Sequence, residues 1–408
     1  MSDHFALHRR AQDCIAQAAL TNSKRPSCHV QGVYPTHVAR GHGGHLWDHA
    51  GRKYLDFICG LGTNILGYGD ARVNAAIAAQ LPHGASLSFS THHELETAEK
   101  VKELVPFVDA VKFLKSGSEA CSAAIRIARA ATGRHYVLSD AYHGWHDEFV
   151  SLTPPAYGVP NDDDGFTRAI EPFHKLDQID STVAAVIVEP VVTDASDARR
   201  AYLQELRKVC TKHGTLLIFD EVITGFRWPR FTVATNWSIT PDLICLGKAI
   251  ANGMPLAVVG GKYAVMNCPD EYFVSSTYAG ETLSLVAAKT TMTLLQTKYD
   301  LANLWEHGAQ FLDGFNAIWP EAVRIEGYPS RGAFKGDLRA RAMFFQEACL
   351  AGLLFGPSFF LSFAHLGEMH GVLDTCRDIL GRVKRGEVRM KGELPSSPFA
   401  ERVRAKSA

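Results

Sequence analysis

Two nearby segments decide the fold of this chain, Leu216-Leu-Ile-Phe-Asp220-Glu-Val222 and Asp242-Leu-Ile-Cys-Leu-Gly247-Lys248. Each contains a short apolar run of the length that is typical of a strand buried on both faces. The first run is followed by the carboxylate of Asp220, and the second by the amine of Lys248. Because ligands of α/β sheets bind beyond the carboxyl ends of the strands, these two side chains are candidates for one site.

A carboxylate and a lysine at neighbouring strand ends suit one cofactor in particular, pyridoxal phosphate (PLP). A lysine amine forms a Schiff base with the aldehyde of this cofactor, and a carboxylate keeps its pyridine nitrogen protonated so that the ring accepts electrons. The alternative, from these two residues alone, is a structural ion pair at the edge of a sheet. Other positions are needed to decide between the two interpretations.

Strand-like and helix-like patterns alternate around these segments, as in a mostly parallel sheet covered by helices. We therefore predict an α/β fold. The clearest elements are predicted strands over 110–114, 135–138, 183–188 and 257–260, and predicted helices over 5–20, 118–132, 202–213, 281–297 and 301–318. Near the N-terminus, two strand-like runs flank the turn composition Asp48-His-Ala-Gly51, which predicts a hairpin.

The pattern changes near residue 298, which indicates a second, smaller domain. We expect a large domain over residues 58–298 that carries the sheet. The segments 1–57 and 299–408 are expected to form a small α+β domain. The tail from residue 383 is rich in Lys and Arg, which is typical of a solvated chain end.

Composition argues against several classes of function. The chain has 408 residues and a formal net charge of −1, so charge gives no support for nucleic-acid or membrane binding. Its nine cysteines are scattered without a Cys-x-x-Cys pair, which favours free thiols in a reducing compartment. Because we find neither a signal-like N-terminus nor an apolar stretch of about 18 residues, we predict a cytoplasmic protein.

Two hydroxyl-rich loops are candidate phosphate sites. Ser116-Gly117-Ser118 lies between a predicted strand and a predicted helix, where backbone N–H groups and hydroxyls bind anions and a glycine allows close approach. Thr277, in the second loop, would add another contact. The alternative for both loops is an ordinary N-terminal cap of a helix.

Two further residues are placed to hold a flat ring. Tyr142 follows one strand and Val222 follows another, so that each would cover one face of the ring. The alternative for Tyr142 is a core tyrosine with a bonded hydroxyl.

Other motifs predict no ligand. The segment Gly60-Leu-Gly62 lacks the third glycine of a dinucleotide site, and the acidic run over 161–165 has the wrong spacing for an EF-hand. We predict no metal, because the close histidines lack a third spaced ligand. These histidines are His143 with His146, His92 with His93, and His42 and His45 with His49.

Taken together, the motifs resemble the class III branch of the fold-type I PLP enzymes, which includes the ω-aminotransferases and the glutamate-1-semialdehyde 2,1-aminomutase group. The most specific motifs are Phe219-Asp220-Glu221-Val222-Ile-Thr-Gly225-Phe226-Arg227 and Leu246-Gly247-Lys248-Ala-Ile-Ala-Asn-Gly253-Met-Pro255. The resemblance extends from about Trp47 to Ala288 and recurs weakly over 360–365. It implies a fold-type I transferase with a mostly parallel, seven-stranded type of sheet in its large domain.

The resemblance also implies roles for individual residues. Lys248 and Asp220 are the implied catalytic residues, as the Schiff-base lysine and the partner of the pyridinium nitrogen. Val222 and Tyr142 would enclose the ring, and Thr277 would come from the other subunit of a homodimer. The full set of implied cofactor-binding residues is Ser116, Gly117, Ser118, Tyr142, His143, Glu189, Asp220, Val222, Lys248 and Thr277.

The substrate region departs from the aminomutase pattern. That group has a Ser-Trp-Gly element where this chain has Gly60-Leu61-Gly62, and an N-terminal arginine that residues 26–34 lack. We therefore expect a more open pocket that takes a bulky substrate.

These observations predict a PLP-dependent aminotransferase or aminomutase-like enzyme that acts on an amine or keto substrate of a specialised pathway. The alternative on the same fold is a decarboxylase or racemase of an amino acid, including one attached to a carrier. A non-catalytic binding protein is a third hypothesis, which the intact Lys248 and Asp220 oppose.

Overall fold

The computed structural model of the chain describes residues 3–140, 142–152, 158–159, 170–268 and 272–396. The acidic run over 161–165 and the end of the basic tail, 397–408, lie outside the described residues. The chain forms two compact units. We call Met1–Asp70 with Asn303–Ala408 the terminal unit, and Ala71–Ala302 the central unit.

The elements are given in chain order. The strands are β1 (Val38–His42), β2 (His45–Asp48), β3 (Lys53–Asp56), β4 (Ala110–Leu114), β5 (Tyr136–Ser139), β6 (Ile170–Pro172), β7 (Val183–Val188), β8 (Leu216–Glu221), β9 (Leu243–Leu246), β10 (Ala257–Gly261), β11 (Val323–Tyr328), β12 (Arg331–Gly336), β13 (Leu353–Leu354) and β14 (Ser358–Phe360). The helices and helical turns are α1 (Asp3–Cys14), α2 (Cys59–Gly62), α3 (Ala71–Gln80), α4 (His92–Leu104), α5 (Gly117–Thr132), α6 (Asp147–Val150), α7 (Asp197–His213), α8 (Val233–Trp237), α9 (Tyr263–Met266), α10 (Thr282–Thr297), α11 (Leu301–Asn316), α12 (Leu338–Leu350) and α13 (Met369–Lys384).

The central unit is built on a seven-stranded sheet with the strand order β4-β10-β9-β8-β7-β5-β6. The five neighbouring strands β6, β5, β7, β8 and β9 pair in parallel, whereas β10 pairs antiparallel with both β9 and β4. Strands β7 and β9 are buried along their whole length, as expected for strands that are covered on both faces. The predicted α/β fold with a mostly parallel sheet is confirmed.

Helix α5 packs against the central strands and fixes one wall of the sheet edge. Its N-terminus carries a capping box, in which Ser116 Oγ accepts the N–H of Glu119 and the Glu119 carboxylate accepts the N–H of Ser116. Ala120, Ala124 and Ala128 repeat every fourth residue and are buried in the core cluster of the sheet. This strip of small side chains allows the helix to approach the sheet closely.

The terminal unit contains two smaller sheets, β1-β2-β3-β13 and β11-β12-β14. The predicted hairpin is confirmed as the antiparallel pair of β2 and β3. Aromatic packing dominates its core, where edge-to-face and tilted ring pairs add about 0.5–1.5 kcal/mol each beyond area burial. The ring of Phe334 lies with centroid distances of up to 6.2 Å from Phe315, Phe344, Phe345, Phe355 and Phe359.

Two helices differ from the prediction. Helix α1 ends at Cys14 rather than near residue 20, because Gln17 and Ala18 take left-handed conformations with φ of 60° and 54°. Helix α7 begins earlier than the predicted residue 202, because Ser196 Oγ accepts the N–H of Arg199 and caps it. Within the described residues, no helix is both long enough and apolar enough to cross a membrane.

The short turn α2 is left-handed throughout. Cys59, Gly60, Leu61 and Gly62 have φ of 51°, 61°, 65° and 88°. Such conformations cost about 1–2 kcal/mol at each residue other than glycine, so contacts outside the turn must hold it. The buried carboxylate of Asp56 contributes by accepting two backbone N–H groups at the start of the turn.

Candidate active site

The carboxyl ends of β8 and β9 lie side by side. The two strands pair in parallel, with Asp220 opposite Cys245 and Glu221 opposite Leu246. Lys248 follows soon after the end of β9, so the carboxylate and the lysine singled out in the sequence emerge at the same sheet edge. Lys248 has a φ of 43°, a left-handed conformation that costs energy and that is characteristic of functional positions.

Asp220 is held as a charged carboxylate. Its Oδ2 lies 2.8 Å from His143 Nδ1, and its Oδ1 accepts the N–H of Val222 at 3.0 Å. Burial acts to raise the pKa of Asp220, but the hydrogen bond and the charge of His143 outweigh it, with help from the Val222 N–H and the charge of Lys248. The pKa of Asp220 is therefore lowered, and the group is anionic at neutral pH.

His143 carries the matching positive charge. The side chain is buried, and burial alone would lower its pKa. The close contact with Asp140, the hydrogen bond to Asp220 and the charges of both carboxylates reverse this effect and raise the pKa of His143 to about 10. The residue predicted to bind the cofactor thus contacts two carboxylates, as an imidazolium between them.

Gly117, Val222 and Gly247 meet at one point. A Cβ atom on Gly117 would lie 2.7 Å from Val222 Cγ1, and a Cβ atom on Gly247 would lie 3.3 Å from the same atom. The backbones at the start of α5 and at the end of β9 therefore pack directly on the side chain of Val222. This packing brings the helix N-terminus, the carboxylate strand and the lysine strand around one apolar residue.

The start of α5 offers an anion site. Ser118 Oγ accepts the N–H of Trp145 at 3.2 Å, and a Cβ atom on Gly144 would lie 2.5 Å from Ser118 Oγ. The loop after β5 thus packs on the first turn of a 16-residue helix, whose dipole favours negative charge at that end. In the described part of the chain, no hydrogen bond uses the backbone N–H groups of Gly117 and Ser118.

The other predicted residues are placed less tightly. Tyr142 is about half exposed, and burial together with the nearby Cys121 and Asp220 side chains raises the pKa of its phenol. Glu189 follows β7, and its backbone N–H lies 3.3 Å from Asp140 Oδ1. Thr277 is exposed in a turn and, within the described residues, makes no hydrogen bond with another predicted site residue.

An ion pair nevertheless ties the loop of Thr277 to the start of α5. Lys115 Nζ lies 3.1 Å from Glu281 Oε2. Glu281 in turn caps α10, because its carboxylate accepts the N–H groups of Leu283 and Ser284. The two predicted phosphate loops are therefore neighbours in the central unit.

Two residues near His143, Asp140 and Cys121, are not among those predicted from the sequence. Asp140 directly follows β5, and its Oδ1 lies 3.4 Å from His143 Nε2. The strand-end argument that identified Asp220 would also have found Asp140. Cys121 is buried on α5, and atoms of Cys121, His143 and Asp220 lie within 4.8 Å of one another, but an isolated cysteine in a helix gives no such signal.

A second cluster of potential ligand atoms lies on α4. Atoms of His92, His93 and Glu96 lie within 4.8 Å of one another. Glu96 accepts a hydrogen bond from Lys289 at 2.7 Å, and His93 Nε2 lies 2.9 Å from the side-chain oxygen of Gln80. Because an ammonium group already pairs with Glu96, the geometry favours a polar network, and the absence of a metal stays a prediction.

The residues at the sheet edge fit pyridoxal phosphate. An ionised carboxylate suits a protonated pyridine nitrogen, and a lysine supplies an amine for the aldehyde. The N-terminus of α5 suits the phosphate, and the apolar side chain of Val222 suits a face of the ring. The donor set therefore agrees with the cofactor that the sequence predicts.

Comparisons with known proteins agree with a site for pyridoxal phosphate. Residues 28–359 match the family model described as aminotransferase class III. The chain is 33% identical over 392 residues to a glutamate-1-semialdehyde 2,1-aminomutase from Syntrophobacter fumaroxidans, with 84% of this chain and 89% of the relative covered. An enzyme of the same name from Roseiflexus castenholzii is 33% identical over 414 residues, with 90% and 95% covered.

Solved structures share the fold. The PLP internal aldimine form of the FumI protein from Sphingopyxis sp. MTA144 has a TM-score of 0.84 at 24% identity, over 95% of this chain and 98% of that chain. An ω-transaminase from Sphaerobacter thermophilus has a TM-score of 0.81 at 27% identity, over 94% and 98%. The fold-type I architecture is confirmed. The chain belongs to the aminotransferase class III family and is a PLP-dependent enzyme of the aminotransferase and aminomutase type.

Proposed function

We propose that this enzyme moves an amino group on a small-molecule amine or keto substrate, with Lys248 and Asp220 as its catalytic residues. The observation that supports this most is the pair of adjacent strand ends. One presents a buried carboxylate that His143 keeps ionised, and the next presents the lysine.

Each of the two catalytic side chains has a separate task. The Asp220 carboxylate would keep the pyridine nitrogen of the cofactor protonated, because an ionised acceptor stabilises the protonated ring. The cofactor, when bound, supplies an electron sink for the substrate carbon that loses a proton. Lys248 Nζ accepts that proton and returns it to the position at which the product forms. The left-handed backbone at Lys248, with a φ of 43°, would restrict the directions that its side chain can take.

The cofactor contacts follow from the packing around Val222. The N–H groups of Gly117 and Ser118 would bind the phosphate at the start of α5. Val222 would cover one face of the ring and Tyr142 the other. The proposed set is completed by Ser116, His143, Glu189 and Thr277.

We infer the type of reaction from the relatives. We infer the substrate class from a difference between this chain and the aminomutase pattern. Relatives at 33% identity carry the name aminomutase, and a solved structure with the same fold is an ω-transaminase. In this chain Leu61 stands where the aminomutase pattern has a tryptophan, which removes the volume of an indole ring. We therefore favour a bulkier substrate from a specialised pathway. Among the described residues, no feature favours the decarboxylase or racemase alternative.

A homodimer is the second part of the proposal, with Thr277 of one subunit assisting at the phosphate of the other. The side chains of Phe89 and Tyr278 are 87% and 60% exposed, which is unusual for large apolar groups. Their segments adjoin, because the N–H of Thr282 donates to the carbonyl of Ala85 at 2.9 Å. A second copy of this chain would cover both.

The cytoplasmic location and the domain bounds also stay proposals. All nine cysteines are free, which supports a location in the reducing environment of the cytoplasm. The division into a large domain over 58–298 and a small domain from 1–57 and 299–408 stays a prediction.

The first experiment is an absorption spectrum of the purified protein with added PLP. We expect the band of lysine-bound cofactor in the wild type and its loss in Lys248→Ala. The matched control is Lys262→Ala, since Lys262 pairs with Asp242 elsewhere on the sheet and should leave the band unchanged. No band in the wild type would contradict the proposal.

A panel of amines then distinguishes the reactions. Conversion of the cofactor to its amine form, with release of a keto product, would establish amino-group transfer. Isomerisation of a substrate without any donor would establish mutase activity. Release of carbon dioxide or of racemised substrate would contradict both and favour the alternative.

A further inference from the structure

We propose that Asp140 is a positioning residue for the reaction: it is the outer carboxylate of a buried chain, Asp140–His143–Asp220, that fixes the protonation and the orientation of His143. The proposal rests on the proposed function, because Asp220 is the catalytic end of this chain. Asp140 is proposed to act through His143, which lies between it and Asp220.

The imidazole of His143 has one carboxylate near each of its ring nitrogens. His143 Nδ1 is hydrogen-bonded to Asp220 Oδ2 at 2.8 Å, and His143 Nε2 lies 3.4 Å from Asp140 Oδ1, within ion-pair distance but without hydrogen-bond geometry. The imidazole is buried, and Phe149 packs edge-on against it with ring centroids 5.4 Å apart. Both ring nitrogens therefore face carboxylates, and a second ring orientation would have to displace buried packing.

The protonation of His143 follows from this arrangement. A neutral imidazole has one N–H and one lone pair, so it can donate to only one of the two carboxylates. Its lone pair would then face the anionic oxygen of the other, which is repulsive in a buried site. With a proton on each nitrogen, both contacts are favourable.

Asp140 is itself held in place from a second strand. Its Oδ1 lies 3.3 Å from the N–H of Glu189, and its Oδ2 lies 3.5 Å from the guanidinium of Arg199. The same guanidinium donates to the carbonyl oxygens of Glu189 and Pro190, each at 2.9 Å. Asp140 is thus fixed between the ends of β5 and β7, and it cannot simply follow His143 if the ring moves.

Other titratable groups lie near Asp140, His143 and Asp220 and affect their protonation in different ways. The Cys121 Sγ lies within 4.8 Å of a ring nitrogen of His143 and of a carboxylate oxygen of Asp220. Burial raises the pKa of the Cys121 thiol, so the thiol stays neutral. The charge of Lys248 acts on Asp220 directly. The titratable and charged groups that face these three residues from packed elements include Cys121, Tyr142, Arg199, Tyr202 and Lys248.

This arrangement predicts a specific change in Asp140→Asn. The amide keeps the shape of the side chain but removes one of the two charges that hold the second proton on His143. We expect the pKa of His143 to fall by about one pH unit or more, measured by NMR of protein labelled at histidine, with and without PLP. In the loaded enzyme, the cofactor spectrum and kcat should gain a pH-dependent step near the new pKa.

Two variants separate this role from a structural one. Asp140→Glu keeps the charge and should restore the titration of the wild type. Asp242→Asn removes a carboxylate that pairs with Arg207 and Lys262, so it should reduce stability without moving the pKa of His143. If Asp140→Asn does not fold, Asp140→Ser tests the same charge with a smaller side chain.

The outcomes are distinct. If Asp140→Asn lowers stability but His143 titrates as in the wild type, the proposal is wrong and Asp140 is structural. If His143 shifts in the protein without PLP but the cofactor band is never seen, the chain of contacts stands and the proposed function fails. A shift together with the new step in the cofactor spectrum supports both.

Discussion

Val222 closes the space above Gly117: a Cβ atom at position 117 would lie 2.7 Å from Val222 Cγ1, closer than real Cβ contacts permit. The glycine is therefore required by packing rather than by backbone conformation. Because Val222 directly follows the strand that carries Asp220, this contact couples the helix N-terminus to the carboxylate. The same apolar side chain also limits how close Gly247 can approach.

Gly117→Ala tests this coupling. The added methyl group must push the start of α5 away from Val222, and overpacking of this kind costs about 1–3 kcal/mol. We expect PLP to bind about tenfold more weakly or worse, as measured by titration of the absorption band. Gly371→Ala is the control, because a Cβ atom at that helical position meets nothing within 4 Å. Equal affinity in Gly117→Ala and wild type would contradict the proposed phosphate site.

Glu221 predicts a pH dependence of stability. It is fully buried beside Asp220, and its carboxylate accepts the N–H groups of Val233 and Ala234 and the hydroxyl of Thr224. Burial nevertheless raises its pKa from 4.5 to about 7. Because the folded state keeps a proton that the unfolded state loses, the stabilising contribution is complete below the unfolded pKa of 4.5 and is lost as pH rises through about 7.

The measurement is urea unfolding of wild type and Glu221→Gln at several pH values. Each unit of pKa shift corresponds to about 1.4 kcal/mol, so the loss in the wild type is on the order of 3 kcal/mol across that window. Glutamine cannot ionise, so the variant should lack this part of the pH dependence. Parallel curves for the two proteins between pH 4.5 and 7 would show that folding does not raise the pKa of Glu221.

The sequence predicts the strand ends of the site well, for a physical reason. Strands buried on both faces must be apolar runs, so the polar residues that follow them, such as Asp220 and Lys248, stand out. The sequence also contains a signal for the start of α7, since Ser196 followed by an Asp is a typical helix start. The predicted start at residue 202 did not use this signal and was therefore too late.

The contact between His143 and the two carboxylates, in contrast, could not be predicted from the sequence. Asp140 follows β5 and Asp220 lies at the end of β8, and these two strands are separated in the sheet by β7. No local pattern gives the strand order, so the distance between these residues depends on the tertiary fold. The left-handed turn α2 also depends on distant support, because its cost falls on Cys59 and Leu61 and is met by contacts elsewhere.

Turn α2 gives a prediction about strain and crowding. Gly60 and Gly43 have nearly equal φ of 61° and 58°, but a Cβ atom on Gly60 would lie 2.6 Å from the amide of Asn64, whereas one on Gly43 meets nothing within 4 Å. Asn64 cannot yield easily, because its amide bonds the carbonyl of Cys59 and the hydroxyl of Thr63. Alanine at either position has the cost of a left-handed residue, about 1–2 kcal/mol.

We therefore expect Gly60→Ala to reduce the free energy of unfolding by about 1–3 kcal/mol more than Gly43→Ala does. Chemical denaturation of both variants under the same conditions measures the difference. Equal losses would mean that Asn64 moves aside and that only backbone strain matters. A larger loss for Gly43→Ala would contradict the crowding argument.

The last prediction concerns the second copy of the chain. Phe89 is 87% exposed and lies in the surface that we assign to the homodimer, whereas Leu20 is 92% exposed and belongs to the terminal unit. Aromatic residues at the centre of an interface commonly contribute about 2 kcal/mol or more to binding. Phe89→Asp should therefore weaken self-association by more than about tenfold, as measured by sedimentation at several concentrations. Leu20→Asp, which adds the same charge at an equally exposed site, should leave association unchanged. Because Thr277 is proposed to act across the interface, Phe89→Asp should also weaken PLP binding at low protein concentration, and a fully monomeric wild type with normal PLP affinity would exclude this role for Thr277.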